Sequence, residues 1–166
     1  MALPDLSHLK ARDVLLITMV CLGNICRSPM AAAVLHNKVA SLTKPKIIVD
    51  SAGTSNWHVG QGPNPPSQRT WERAGYKYDH IASQFNYSRL VAADLVLVMD
   101  RYNFENVSSL VTNESEESKI FYLRQFDPTA LDSHEVPDPY SLPDSAFEEV
   151  LRMVERATDG LIASLT

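Results

Sequence analysis

Cysteine is almost missing from this chain, with Cys21 and Cys26 the only two in 166 residues. Lying five positions apart, they make a poor structural staple, and the disulfide framework of small exported domains is excluded. Basic residues are also scarce: 15 Lys and Arg against 20 Asp and Glu leave a net charge of −5. That balance argues against a broad nucleic-acid or acidic-membrane surface, while a local cationic pocket remains compatible with it. Long apolar runs are absent as well. The longest near the N-terminus, Val14 to Val20, is far short of the ~20 residues that cross a bilayer. Asp5 and Asp13 offset Lys10 and Arg12 where a signal peptide would carry a positive flank, and no small-residue cleavage site follows. A cytoplasmic protein is expected, with neither membrane nor nucleic acid as partner, although signal-less export would leave no trace. Repeats, low-complexity tracts and an interdomain linker are missing too. The length suits one domain over residues 1–166, with 1–12 as an N-terminal extension.

What the chain does carry is alternation. Apolar strand candidates at Val14–Val20, Lys46–Asp50, Asp94–Met99 and Lys119–Leu123 alternate with helical patterns near Pro29–Leu42, Pro66–Ala74, Arg101–Leu110 and Pro143–Leu165. Strands that are apolar throughout and separated by helices imply a four-stranded parallel sheet with helices on both faces, a three-layer α/β sandwich. In the last helix Phe147, Val150, Leu151, Val154, Leu161 and Leu165 form a core-facing stripe, and Ser145 with Glu148 has capping-box spacing. Met19, Met99 and Met153 read as packing. Three segments read as loops: the turn-rich Gly60 to Ser67, the acidic and solvated Thr112 to Ser118, and the proline-stiffened Asp132 to Asp144.

One stretch combines chemistry with a turn: CLGNICRSP, Cys21 to Pro29. Cys21 ends the first strand, and ligands of open parallel α/β sheets bind beyond the carboxyl ends of strands. Ser28 followed by Pro29 reads as an N-cap and first helical residue. Leu22, Gly23, Asn24, Ile25, Cys26 and Arg27 would then curl at a helix N-terminus, where free N–H groups favour an anion. Gly23 and Asn24 tolerate the left-handed backbone that turns amides inward. Phosphate suits the site best, since Arg27 can grip two of its oxygens through a planar fork. The same amides and cation would favour the thiolate of Cys21, a nucleophile, and the Ser28 hydroxyl could steady that sulfur as a leaving group. The ATP-binding Gly-x-x-x-x-Gly-Lys pattern is absent. A metal site would need His58 or His80 beside the two thiols, and the chemistry requires neither metal nor cofactor.

These residues resemble those of the low-molecular-weight protein tyrosine phosphatases. Cys21-x5-Arg27-Ser28 matches that family's phosphate-binding loop, and the likeness continues through DSAGTSNWHVG (Asp50 to Gly60), ADLVLVMDR (Ala93 to Arg101) and VPDPY (Val136 to Tyr140). The resemblance implies attack by Cys21 on phosphotyrosine, with Arg27 on the equatorial oxygens and water hydrolysing a cysteinyl-phosphate. Tyrosine-phosphorylated proteins or peptides would be the partners and inorganic phosphate the product. It implies that Asn24 holds the loop in shape with help from Ser51, and that His80 and Asp100 are supportive. Among eleven aspartates, it selects Asp138 as general acid over the other Asp-Pro, Asp127-Pro128. Trp57 and Tyr140 would flank the phenyl ring and Leu22 would line the entrance. Where many members carry Asp-Pro-Tyr-Tyr, Ser141 follows Tyr140 here. Cys26 stands close enough in sequence to trap an oxidised Cys21 as a disulfide. Two competing readings are weaker. A thiol-dependent arsenate reductase needs relay cysteines beyond Cys26 that this chain lacks, and a non-hydrolysing phosphotyrosine-binding module would have lost Cys21 or Asp138.

Overall fold

The computed structural model describes residues 3–166. The chain runs α1 (Ser7–Lys10), β1 (Val14–Cys21), α2 (Arg27–Lys38), β2 (Lys46–Gly53), α3 (Pro65–Arg73), α4 (Tyr87–Ala92), β3 (Leu95–Val98), α5 (Arg101–Ser108), α6 (Glu114–Glu117), β4 (Ile120–Tyr122), a 3₁₀ turn (Leu123–Phe126) and α7 (Asp144–Leu165). The four strands form one all-parallel sheet in the order β2-β1-β3-β4. Strand alternation divides the core into two layers. Leu15, Ile17, Met19 and Cys21 of β1 pack with Met30 to Leu35 of α2, Trp71 of α3 and the α7 stripe. Val20, Ala52, Val96, Val98 and Ile120 pack on the opposite face with Leu90 of α4 and Val107 of α5. This is the single-domain sandwich that the alternation implies, and every stripe residue of α7 is buried.

The order also fixes where a ligand can sit. After β1 the chain adds β2 on one side, then crosses to add β3 on the other. The reversal opens a crevice beyond the carboxyl ends of β1 and β3. Cys21 ends β1, and Met99 and Asp100 follow β3.

Three short helices, α1, α4 and α6, are not legible as periodic patterns, because four to six residues span less than two turns. The segment expected to be a solvated loop, Thr112 to Ser118, holds α6. Asn113 caps it by accepting from Glu116 N at 2.9 Å, and buried Glu116 accepts from Tyr87 Oη at 2.6 Å and Thr112 N at 2.8 Å. The Ser145–Glu148 capping box does not form: the chain enters α7 through Pro143, with no side-chain cap. Met153 is only half-buried, unlike Met19 and Met99. Among the described residues, no helix is long and apolar enough to cross a membrane.

Candidate active site

Between β1 and α2 the backbone is pinned from outside. The carbonyl of Cys21 accepts from Thr54 N at 2.9 Å, that of Leu22 from Ser55 N at 3.0 Å, and that of Ile25 from Asn64 N at 2.9 Å. The Asn24 carbonyl meets His80 Nε2 at 2.6 Å. In a trans peptide the C=O and the next N–H point opposite ways. Carbonyls drawn outward therefore turn the N–H groups of Leu22, Gly23, Ile25 and Cys26 toward the concave side of the loop, an anion cradle.

Two local details make this curl possible. Asn24 adopts φ 57°, the left-handed region that Asn tolerates better than most residues. Its side chain is fully used: Oδ1 accepts from Ser83 N at 2.9 Å, and Nδ2 donates to Ser28 Oγ at 2.8 Å and Ser51 Oγ at 2.9 Å. Gly53, at the end of β2, lets the loop lie directly on the strand. A Cβ there would sit 2.7 Å from Leu22 O and 3.1 Å from Asn24 N. Gly23 differs from expectation: it has no positive φ, and its lack of a side chain instead makes room for His58, whose Cδ2 lies 2.9 Å from where a Cβ would be.

The helix start also differs from expectation. α2 begins at Arg27 with Cys26 in the N-cap position and no side-chain cap. Ser28 is not the cap because its hydroxyl is committed inward, 3.0 Å from Cys21 Sγ. Since that oxygen already accepts from Asn24 Nδ2, its proton is free to point at the sulfur.

Arg27 is buried at 3% exposure and held from behind. Nη1 donates to Asp100 Oδ2 at 2.6 Å and to Val136 O at 3.1 Å, leaving Nη2 at 3.8 Å from Asp138 Oδ2. Burial alone disfavours the guanidinium charge, but Cys21, Asp100 and Asp138 outweigh it and raise the Arg27 pKa. Asp100 also caps α5, its Oδ1 accepting from Asn103 N at 2.9 Å, so the helix start orients the carboxylate. The Asp138 loop is anchored where Val136 N donates to Met99 O at 2.7 Å. Beyond it, Tyr140 N donates to Asp138 Oδ1 at 3.1 Å and Ser141 takes φ 66° to close the turn.

These elements surround a cavity of about 170 Å³. Every expected site residue lines it except Asn24 and Ser28, which lie fully buried beneath the loop as its internal props. Trp57, 68% exposed, and Tyr140, 54% exposed, stand at the mouth. Both cysteines are free and buried. Burial, then the charges of Cys21 and Asp138, push the Cys26 thiol up to about 12, so it stays protonated beside the loop. Among the described residues no cluster of three or more His, Cys, Asp or Glu is arranged to hold a metal ion.

The model of the low molecular weight phosphotyrosine protein phosphatase family matches residues 16–166. The chain belongs to this family. The low molecular weight protein-tyrosine-phosphatase of Streptomyces coelicolor is 39% identical over 151 residues, covering 90% of this chain and 92% of the relative. Low molecular weight protein-tyrosine phosphatase A of Mycobacterium tuberculosis is 38% identical over 151 residues, covering 90% of each chain. Among solved structures, the protein tyrosine phosphatase of Entamoeba histolytica with Hepes in its active site superposes with a TM-score of 0.84 at 34% identity, covering 91% of this chain and 96% of that one. The YwlE arginine phosphatase of Geobacillus stearothermophilus reaches a TM-score of 0.78 at 28% identity, covering 91% and 92%.

This phosphatase carries site features that the sequence reading missed. His58, weighed only as a metal ligand, lines the cavity and meets Gln61 Oε1 through Nδ1 at 3.0 Å. Gly53, which shapes the loop, has no side chain to flag it, and Ser83, which holds the loop through its backbone N–H, lies in no motif. His80 shows how the phosphatase loop couples to pH. Burial pulls its pKa below the ordinary 6.5, with the bond to Asn24 O working partly against the shift. A neutral ring donating Nε2–H suits the carbonyl, and the unfolded chain then binds a proton that the folded one refuses. Stability should therefore be full above about pH 6.5 and fall as pH drops, by at most about 1.4 kcal/mol per pH unit for one proton. Thermal melting between about pH 7.5 and 5.5 checks this: a His80→Gln variant should lose part of the acid sensitivity, and an unchanged pH slope would exclude His80 as its source.

Proposed function

We propose that this phosphatase hydrolyses phosphotyrosine in proteins or peptides, and small aryl phosphates, in two displacements at phosphorus. The Cys21 sulfur attacks as the P–O bond to the phenol breaks, and Asp138 gives the departing oxygen a proton. Water then attacks the cysteinyl-phosphate while Asp138 takes a proton from it, and the P–S bond breaks to release inorganic phosphate and the thiolate. Arg27 and the inward amides match three equatorial oxygens whose charge builds in each transition state. The Ser28 hydroxyl stabilises sulfur as attacking and as leaving group.

One observation carries the reading. The sulfur of Cys21, the Arg27 guanidinium and the Asp138 carboxylate share a single cavity, with cation and acid 3.8 Å apart. The walls favour an aromatic ester. Leu22, Ile25, Trp57 and Tyr140 line it with apolar surface, and each aromatic pair is worth about 0.5–1.5 kcal/mol beyond burial. A phosphoserine side chain offers no ring to fill these walls, and a phosphoarginine offers a polar guanidinium to an apolar slot.

Peptides carrying phosphotyrosine, phosphoserine or phosphoarginine, assayed for phosphate release, test this. Phosphotyrosine should be preferred over both by at least about tenfold in kcat/KM, the equivalent of 1.4 kcal/mol. Preference for phosphoarginine would move the chain to the activity named for the Geobacillus relative. In the same assay Trp57→Ala should raise KM for phosphotyrosine several-fold and leave competition by inorganic phosphate unchanged. Equal weakening of both would remove Trp57 as a wall of the substrate site.

A further inference from the structure

A continuous polar chain leads from the loop to a side chain outside every motif named above. Arg89, in the middle of α4, sends Nη1 to Ser83 Oγ at 2.6 Å, and Nη2 to Ser51 O at 3.0 Å and Asp50 Oδ2 at 3.1 Å. The other carboxylate oxygen of Asp50 accepts from Thr18 Oγ1 of β1 at 2.5 Å. Proton directions along this chain are determined, because a guanidinium only donates and a carbonyl only accepts. Ser83 Oγ accepts from Arg89 and so gives its own proton to Ser51 O at 3.3 Å. That fixes Ser83, whose N–H holds Asn24 Oδ1 at 2.9 Å. With the oxygen so held, the Asn24 amide cannot turn over, and Nδ2 must face Ser51 Oγ and Ser28 Oγ.

We infer that Arg89 is a positioning residue for oxyanion binding: it clamps Ser83 and the Ser51 carbonyl so that Asn24 holds its left-handed posture and the loop amides stay turned inward. The inference rests on the phosphatase reading only in taking the loop as an oxyanion cradle. A purely stabilising role fits the geometry poorly. Arg89 and Asp50 are partly exposed, at 24% and 39% of their side chains, and ion pairs of that kind contribute little to stability. β2 is already secured by eight register pairs with β1. None of the three bonds made by the Arg89 guanidinium joins its own helix. All end on β2 or the Ser83 segment, which grip the loop.

The test is alkylation of Cys21 by iodoacetamide with increasing inorganic phosphate, read beside steady-state kinetics on para-nitrophenyl phosphate. Substrate and phosphate use the same cradle, so loss of its shape weakens the binding of both. In Arg89→Met the half-protecting phosphate concentration and KM should rise together by about tenfold. Arg89→Lys, able to reach only part of the clamp, should recover part of the loss. Ser83→Ala, which cuts the link while leaving the Arg89–Asp50 pair, should move both values in the same direction. It also serves as the reading if Arg89→Met fails to fold. Unchanged protection and KM in these variants, even with a lowered melting temperature, would overturn the inference. A parent enzyme that binds phosphate but turns over no aryl ester would instead overturn the phosphatase reading and leave the clamp testable by protection alone.

Discussion

A Cys21→Ser variant should turn over aryl phosphates at least about 10⁴-fold more slowly than the parent, while still binding inorganic phosphate. The two halves of this expectation come from different atoms. Binding draws on Arg27, held by Asp100 and the Val136 carbonyl, and on amides whose direction is set by carbonyls pinned to Thr54, Ser55, Asn64 and His80. None of these involves the sulfur. Attack on phosphorus does require it, because a serine hydroxyl at neutral pH stays protonated, and in that step Asp138 is the acid that serves the leaving oxygen. Cys26 cannot take over. Its thiol, pushed up to about 12 by burial first of all, is a poor nucleophile, and it occupies the helix N-cap rather than the strand end. Phosphate binding measured by calorimetry, beside turnover of para-nitrophenyl phosphate, separates the halves. Retained turnover would exclude Cys21 as the nucleophile, and lost phosphate binding would mean that the sulfur organises the loop.

Legibility in the sequence followed the range of the physics involved. The sheet was readable because buried parallel strands are apolar on both faces, and Val14–Cys21 and Leu95–Val98 are bounded by charged or turn residues. The curled loop proposed to bind phosphate was readable because Cys21, left-handed Asn24 and Arg27 lie within seven consecutive positions. Props that reach the loop from elsewhere were harder to read. Ser83 and Arg89 act through hydrogen bonds of 2.6–2.9 Å and Gly53 through the room it leaves the loop, but all three stand tens of positions away and have no periodicity. Ser28 was misread as a cap for a related reason. Its local sequence, followed by Pro29, favours capping, but tertiary demand from Asn24 and Cys21 takes the hydroxyl. Likewise Asn113 and Glu116 make a helix from a segment whose composition suggested only solvent, because Tyr87 and Thr112 bury that carboxylate.

In kcat/KM, which reports the first displacement, Asp138→Ala should cost little with para-nitrophenyl phosphate, whose phenolate leaves unaided. The loss should grow to about 10²–10³-fold with phenyl phosphate or phosphotyrosine, whose leaving oxygens need a proton. Geometry favours this carboxyl over its rival. Asp138 stands between Pro137 and Pro139, on a loop tied to the end of β3 by Val136 N, with its side chain 47% exposed at the cavity and 3.8 Å from Arg27. Asp127 has the same Asp-Pro sequence but a structural fate. Its side chain is wholly buried, accepting from Arg156 Nε at 3.1 Å and Thr129 Oγ1 at 2.7 Å. Burial would raise its pKa, yet the bonds from Thr129 and Arg156 prevail and hold it below the ordinary carboxylate value. Its oxygens are committed to these partners, and it does not line the cavity that holds Cys21 and Arg27. Asp127→Ala should therefore lower the melting temperature, leaving Arg156 without its partner, and keep the parent's dependence of rate on leaving-group basicity. The slope of log kcat/KM against phenol basicity, measured across a series of aryl phosphates, distinguishes the two aspartates. A steepened slope in Asp138→Ala alone is expected, and a slope equally altered in both variants would refute the assignment.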